Sequence, residues 1–275
     1  MRRPYRFPFT LPVALPLIVV AVAGVVADGG AQSTQAPPSP SRALFADVAP
    51  RYSGARAKET VAFLDRFVRW PGNRGFDASL DHLVQRLERA GYIREDQATP
   101  ATRLTYRVER YPMANPAWEP TAASVEIVGQ RDPVLQLATN RNMLATNSWS
   151  TPDTGILATL VDVGRGTPAA LDSANVGGKI VLADAGASRL FAEAVLKRGA
   201  VGVLGYALPA YLQPEKNTHS IQFGGIPYDT TKRAWGMALS YDARQRLRAA
   251  LAAGPVQLRV RTNVTWTPNA VERTV

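Results

Sequence analysis

Two segments near the start of the chain carry apolar side chains at the spacing of an amphipathic helix. The first helix is predicted over Arg56–Trp70 and ends at the turn Pro71–Asn73. The second is predicted to begin at an Asp77 cap and to end at Gly91. The apolar faces consist of Val61, Leu64, Phe67 and Val68 in the first helix and of Leu80, Leu83, Val84 and Leu87 in the second. Because each helix has one apolar face, the pair is expected to need a partner surface.

Downstream of this helical pair the apolar period changes to two, which is typical of strands. The pattern predicts short strands at Leu104–Val108 and Ser124–Val128. Between them, Pro112, Pro116 and Pro120 are expected to break the chain, because proline cannot donate to a strand ladder.

Longer apolar runs follow, separated by turns and one helical segment. Buried strands are predicted at Ile156–Val163, Val176–Ala183 and Gly199–Tyr206, with a helix over Ser188–Arg198 before the third. The inward positions of that helix are Leu190, Phe191, Ala194 and Val195. A strand, a helix and a strand joined by short connectors predict a βαβ-like unit with parallel strands.

The last third of the chain predicts one more helix between strands. Trp235–Leu239 is an apolar run, and Ser240 is the expected cap of a helix that ends at Gly254. Val256–Trp266 then alternates as a long amphipathic strand, and a further strand begins near the end of the sequence. Together the elements predict an α/β fold.

An export signal is predicted at the N-terminus, in residues 1–31. Met1–Arg6 is basic, Leu11–Ala27 is apolar and uncharged, and small residues follow, with cleavage expected near Asp28 or Gln32. The protein is therefore expected to be secreted or periplasmic, and the alternative is a signal anchor that stays in the membrane. Residues 32–55 are predicted to be a proline- and serine-rich linker, in which Gln32–Ser41 is expected to be extended.

Composition excludes several kinds of site. The net charge of +10 comes from arginines that form no basic stripe, so we expect no nucleic-acid partner. The chain has no cysteine, and its histidines are His82, in a predicted helix, and His219, in a loop. No G-x-S-x-G elbow is present. The sequence therefore predicts no catalytic, cofactor-binding or metal-binding residue in this chain.

Glycines in the third buried strand invite comparison with phosphate-binding loops. A dinucleotide-binding fingerprint lies between a strand and the helix that follows it, whereas Gly199, Gly202 and Gly205 come after a helix. They are therefore predicted to end the helix or to allow close packing.

Four segments together resemble a protease-associated (PA) domain. They are the D-V-G-x-G-T turn at Asp162–Thr167, the strands at Val176–Ala183 and Lys197–Leu204, and the segment Trp235–Leu247. Gly72–Tyr92 is similar to the leading segment of secreted di-zinc exopeptidases of metallopeptidase family twenty-eight, which includes glutamate carboxypeptidase.

This resemblance implies a fold and a division of the chain. The fold would be a PA-type β-sandwich or partly open barrel with flanking helices, preceded by the helical pair. Residues 56–119 would hold the helical pair and a strand segment, and residues 120–254 the PA domain. Residues 255–275 would lead into a catalytic domain that is absent from this sequence.

The resemblance also implies a function without chemistry of its own. Enzymes of this family hold two zinc ions in the catalytic domain, and no metal ligand or catalytic residue of theirs matches a position here. The chain would be the non-catalytic part of an exported zinc-dependent aminopeptidase or carboxypeptidase. It would shape either the access of peptide or protein substrates or contacts with other proteins. Its partner would be the catalytic domain of the same polypeptide. The alternative is a stand-alone exported PA-type binding module.

Overall fold

The structure, a computed structural model, describes residues 40–275, so the predicted signal peptide and the first part of the predicted linker lie outside the described residues. The described residues fall into two units, residues 40–54 and 55–275. The helices are α1 (Pro40–Val48), α2 (Gly54–Leu64), α3 (Arg74–Arg89), α4 (Pro168–Ser173), α5 (Ala187–Leu190) and α6 (Tyr241–Ala253). In this part of the chain no helix is long and apolar enough to cross a membrane.

The described part of the first unit is helical rather than extended. Helix α1 is followed by a 3-10 turn at Ala49–Arg51, and all these residues are exposed. Pro40 occupies the first turn, where its missing N–H costs nothing, and Ala43–Ala46 consists mostly of residues that tolerate a helix well. The predicted extended conformation of Gln32–Ser41 is therefore wrong at Pro40 and Ser41, the two residues of that run which the structure describes.

Eleven strands form the sheets of the described residues. They are β1 (Ile93–Arg94), β2 (Thr105–Tyr106), β3 (Glu109–Pro112), β4 (Ala117–Ile127), β5 (Leu135–Gln136), β6 (Ile156–Asp162), β7 (Ile180–Ala183), β8 (Gly202–Gly205), β9 (Trp235–Ala238), β10 (Gln257–Thr267) and β11 (Val271–Thr274). Seven of them form one sheet in the order β5-β4-β10-β6-β7-β8-β9, while β1 pairs with β2 and β11 with β3. The predicted α/β class is confirmed.

The main sheet is antiparallel on one side and parallel on the other. Strand β10 pairs antiparallel with both β4 and β6, and β6 to β9 run parallel to one another. The helix predicted between the second and third buried strands is α5, continued by a π-helical turn at Phe191–Leu196. The parallel βαβ-like unit predicted from the sequence is thus confirmed.

The parallel strands are covered on both faces. Ile180, Leu182 and Leu204 belong to a core cluster that includes Leu247 of α6. The alternate residues of the same strands belong to a second cluster with Phe191. Alternation along a strand sends neighbouring side chains to opposite faces, so α6 covers one face and the α5 segment the other. The predicted full burial of β6 is wrong at Leu157, which is 52% exposed.

The glycines of the third parallel strand serve packing. A Cβ on Gly202 would lie 2.3 Å from the Trp235 ring, and one on Gly205 would lie 2.7 Å from the Ala185 carbonyl oxygen. Gly199 has a φ of +72° where the helical segment ends, a conformation that favours glycine. The predicted structural role of these residues is confirmed.

Two predicted boundaries of the helical pair are wrong. Helix α2 ends at Leu64 rather than Trp70, and α3 begins after Asn73 rather than at an Asp77 cap. The Asn73 side chain accepts a 2.8 Å hydrogen bond from the Phe76 N–H and so performs the capping. Asp77 lies in the first turn, and its carboxylate is 3.3 Å from Arg273 of β11.

Pro120 does not break the chain as predicted. It lies inside β4, where it pairs with Val264, and Thr121 is the extra residue of a β-bulge at this point. A bulge interrupts the hydrogen-bond ladder, so the missing N–H of proline is tolerated there.

The helical pair has partners within the chain. Val68 and Trp70 pack against the main core cluster, and Arg273 of β11 also contacts Asp81 of α3 at 2.7 Å. The predicted apolar positions of α3 are half-buried. Part of the partner surface expected for the pair is therefore supplied by this chain itself.

Candidate functional site: two clefts beside the helical pair

One cavity lies between the helical pair and two loops. This helix–loop cleft has a volume of about 910 Å³ and is bounded by residues 64–69, the first turns of α3, and the loops 138–142 and 219–223. Its walls combine aromatic and aliphatic side chains, such as Phe76, Leu83 and Phe223, with the polar groups of Arg69 and Asn140. An open cleft with apolar walls and a few polar groups suits an extended peptide.

A second cavity lies on the other side of the same connection. This helix–strand cleft has a volume of about 650 Å³ and lies between residues 66–78 and the strands β4 and β5. Phe67, Val68, Ala138 and Arg141 line both clefts. The connection between α2 and α3 is therefore a shared wall, and its position determines the shape of both.

Asn73 and Gly75 hold this wall against the sheet. The buried Asn73 amide donates to the carbonyl oxygens of Val68, at 3.1 Å, and Trp118, at 3.3 Å. A Cβ on Gly75 would lie 2.4 Å from the Val68 carbonyl oxygen, so only glycine allows this close approach.

Charged groups line the clefts in pairs. Arg74 bonds Glu119 at 2.9 Å, and this hydrogen bond, followed by the charge of Glu119, raises the pKa of Arg74. Arg141 donates to the Asp65 carbonyl oxygen and lies 3.4 Å from its carboxylate. Arg66 instead lies over the ring of Phe63, 4.4 Å from its centroid.

The two histidines lie in different environments. The His82 ring stacks on Phe63, and its Nε2 atom is buried without a hydrogen-bond partner. Burial, followed by the charge of Arg86 and of nearby arginines, lowers the pKa of His82. His219 lines the helix–loop cleft. Within residues 40–275 no group of three histidine, cysteine or acidic residues could hold a metal ion.

A further charged cluster lies where the parallel strands end. Asp162 is the last residue of β6, Asp184 follows β7, and Arg248 of α6 bonds both, at 3.1 and 3.4 Å. Arg244 bonds Asp184 at 3.0 Å and lies over the Tyr206 ring, whose hydroxyl pKa is raised by burial. Ligands often bind at this edge of an open α/β sheet. Here the charges are already paired, so the cluster attaches α6 to the sheet.

The structure also contains an aromatic cluster that the sequence does not predict. Trp149 and Trp266 have ring centroids 4.8 Å apart, Tyr228 lies 5.2 Å from Trp266, and Arg233 lies over Trp149. Trp266 is the last apolar residue of the predicted strand, but its aromatic neighbours come from loops more than thirty positions away in the sequence. No local pattern could have brought them together.

Comparison with known proteins gives a likeness of fold only. No protein-family model matches the sequence, and no curated protein matches it. Among solved structures, a peptidase M28 precursor from Shewanella amazonensis superposes with a TM-score of 0.52 at 17% identity, over 84% of this chain and 51% of that chain. An aminopeptidase from Aneurinibacillus has a TM-score of 0.44 at 20% identity, over 82% of this chain and 48% of that one.

A zinc aminopeptidase from Bacillus subtilis has a TM-score of 0.46 at 14% identity, over 79% of this chain and 45% of that one. The chain thus spans about half the length of each of these structures. Only the first TM-score exceeds 0.5. The fold of the described residues is therefore shared with part of the peptidase M28 precursor.

Proposed function

We propose that this chain is the leading, non-catalytic part of an exported zinc exopeptidase. The observation that carries the proposal is the shared fold with the M28 precursor, which extends over 84% of this chain but only 51% of the precursor. The segments that resemble a PA domain form the parallel strands β7 and β8 and the β9–α6 unit, which supports a PA-type fold for residues 120–254.

The proposed role is to shape the access of peptide or protein substrates. The two clefts support it, because an extended peptide needs an open channel with apolar walls and main-chain donors or acceptors. Zinc does not fit the described residues, which contain no group of ligands close enough to hold it. We propose that two zinc ions are held in a catalytic domain that follows residue 275 in the same polypeptide.

Export is part of the proposal. Residues 1–31 would direct the chain out of the cytoplasm and be removed, leaving a mature protein that begins near Asp28 or Gln32. Mass spectrometry of the exported protein tests this directly. Recovery of the intact N-terminus in a membrane fraction would support the signal anchor instead.

The experiment that tests the proposed function is to read the gene beyond codon 275. An open frame that supplies a His-x-Asp motif followed by Glu-Glu, Asp and His motifs is the expected result. The present chain, purified alone, should bind no stoichiometric zinc and should not cleave aminoacyl-nitroanilides. One or two tightly bound zinc ions per chain would contradict the proposal.

A stand-alone exported binding module is the second candidate. The observation that favours it is that the described residues already form two open clefts with both apolar and polar walls, which a binding module needs. An in-frame stop at codon 276, together with peptide binding by the purified chain, would favour this function over the first.

A further inference from the structure

Three arginines surround the helix–strand cleft. Arg66, Arg74 and Arg141 line it, and Glu119 is the acidic residue among its lining groups. The nearby Asp65 carboxylate is paired with Arg141. The cleft therefore carries an excess of positive charge, which attracts an anionic ligand group.

Arg66 is held in place without a carboxylate partner. Its guanidinium lies 4.4 Å from the ring centroid of Phe63 and 5.4 Å from that of Phe67, so two aromatic contacts fix its position. No carboxylate of the described residues forms a salt bridge with it. A guanidinium fixed by stacking keeps its N–H donors available and loses little conformational entropy when it binds an anion.

The other two arginines also retain free donors. Arg74 contacts Glu119 through Nε, and Arg141 contacts Asp65 through Nη1. Each guanidinium has five N–H donors, so both can bond a further acceptor. All three arginines line the cleft and retain N–H donors, and a carboxylate is the anion whose planar geometry matches a guanidinium.

The floor of the cleft consists largely of small residues. Gly75 and Ala78 lie on the helix side, and Ala122, Ala123 and Ala138 on the strand side. Small side chains let a peptide main chain approach closely, while Phe67 and Val68 give it an apolar wall. The shape therefore suits a peptide segment rather than an isolated ion.

We propose that the helix–strand cleft binds an extended peptide through one carboxylate, which Arg66 receives together with Arg74 and Arg141. The inference rests on the proposed function and names the substrate class of the cleft: peptides that present either an acidic side chain or a free C-terminal carboxylate. Glu119 opposes the incoming carboxylate and limits its affinity.

Fluorescence polarisation with four labelled peptides tests the proposal. The probe is the pentapeptide Ala-Leu-Glu-Leu-Ala with its label at the N-terminus, made with Glu or Gln at the centre and with a free or amidated C-terminus. The peptide with Gln and an amidated end should bind about 5- to 10-fold more weakly than at least one carboxylate-bearing peptide. The two peptides with a single carboxylate, Glu with an amidated end and Gln with a free end, show whether the cleft prefers an acidic side chain or a C-terminal carboxylate. Equal affinity for all four peptides, or no binding by any of them, would overturn the proposal.

Two variants with opposite expected effects connect the preference to this cleft. Arg66→Gln should remove most of the carboxylate preference, and Glu119→Gln should increase it, because the opposing charge is gone. Arg131→Gln removes the same charge from an exposed turn outside both clefts and should leave the preference unchanged. If Arg66→Gln unfolds, Glu119→Gln still tests the proposal, because its carboxylate preference should exceed that of the wild type. An equal loss in Arg66→Gln and Arg131→Gln would contradict the proposal.

The outcome is separate from that of the proposed function. A stop at codon 276 would contradict the exopeptidase assignment and leave the carboxylate preference measurable on the same chain. A zinc enzyme whose leading part binds all four peptides equally would contradict only this inference.

Discussion

The imidazole ring of His82 lies face to face with the phenyl ring of Phe63, with 3.8 Å between ring centroids and 13° between planes. This contact joins α3 to α2. The Arg66 guanidinium also lies over the Phe63 ring. Arg86 and Arg89 lie in the last turn of α3, the helix that carries His82. A neutral imidazole is compatible with these three positive charges, whereas a protonated one would be repelled by them.

The contact predicts that stability falls as the solution becomes acidic. Burial, followed by the charges of Arg86, Arg89 and Arg66, lowers the pKa of His82, so the unfolded chain binds the proton more readily than the folded one. The contribution of neutral His82 to the free energy of unfolding is therefore complete above about pH 6.5, the ordinary pKa of histidine. It is lost progressively as the pH falls below that value. Urea unfolding at about pH 7.5 and 5.5 measures the difference.

The matched variants isolate this histidine. His82→Gln cannot be protonated and should lose less stability between the two pH values than the wild type. His219→Gln, which changes the histidine of the helix–loop cleft, should lose as much as the wild type. Equal losses in the wild type and His82→Gln would show that the stacked ring has no part in the pH dependence.

Asn73→Ala should destabilise the protein by about 2–3 kcal/mol. The change removes a helix cap and leaves the carbonyl oxygens of Val68 and Trp118 without their donor. Asn217→Ala, which loses one hydrogen bond in an exposed loop, is the control and should cost under about 0.5 kcal/mol. Similar free energies of unfolding for both variants would mean that Asn73 does not anchor the shared wall of the clefts.

Gly202→Ala should cost about 1–3 kcal/mol, because the new Cβ would overlap the Trp235 ring on the neighbouring strand. Gly224→Ala places its Cβ in open space and should change stability by less than about 0.5 kcal/mol. Thermal unfolding followed by circular dichroism compares the two. A neutral Gly202→Ala would indicate that β8 and β9 do not pack as closely as described.

Leu247→Ala should cost about 2–5 kcal/mol, since this fully buried side chain joins α6 to the main core. Leu157→Ala removes the same number of atoms from a side chain that is 52% exposed and should cost under about 1 kcal/mol. Equilibrium unfolding in urea gives both values. A small effect of Leu247→Ala would mean that α6 contributes little to the core.

The elements set by local pattern were predictable from the sequence. Ser240 caps α6 as expected, because the cap and the helix it serves are adjacent in the chain. The capping by Asn73 was not predictable, since Asn73 was assigned to the preceding turn and its amide also bonds Trp118, 45 residues away. The strand through Pro120 likewise depends on pairing with Val264.

The clefts depend still more on distant contacts. Their walls combine residues 64–83 with segments near residues 119–141 and 219–223, and no periodicity in the sequence relates these segments. The stacking of Arg66 on Phe63 and Phe67 was hidden for a different reason. The amphipathic pattern predicts one continuous helix that includes Phe67. The helix instead ends at Leu64, and the turn that follows changes the direction of the Arg66 and Phe67 side chains.

The central claim is that this chain belongs to a longer exported zinc exopeptidase. Its most direct test is the intact mass and zinc content of the native protein, captured from the source cells with an antibody against residues 56–275. We expect a mass roughly 1.6 times the 29.7 kDa of this chain, since 84% of this chain matches 51% of the M28 precursor, with about two zinc ions per molecule. A zinc-free protein of 29.7 kDa or slightly less would contradict it.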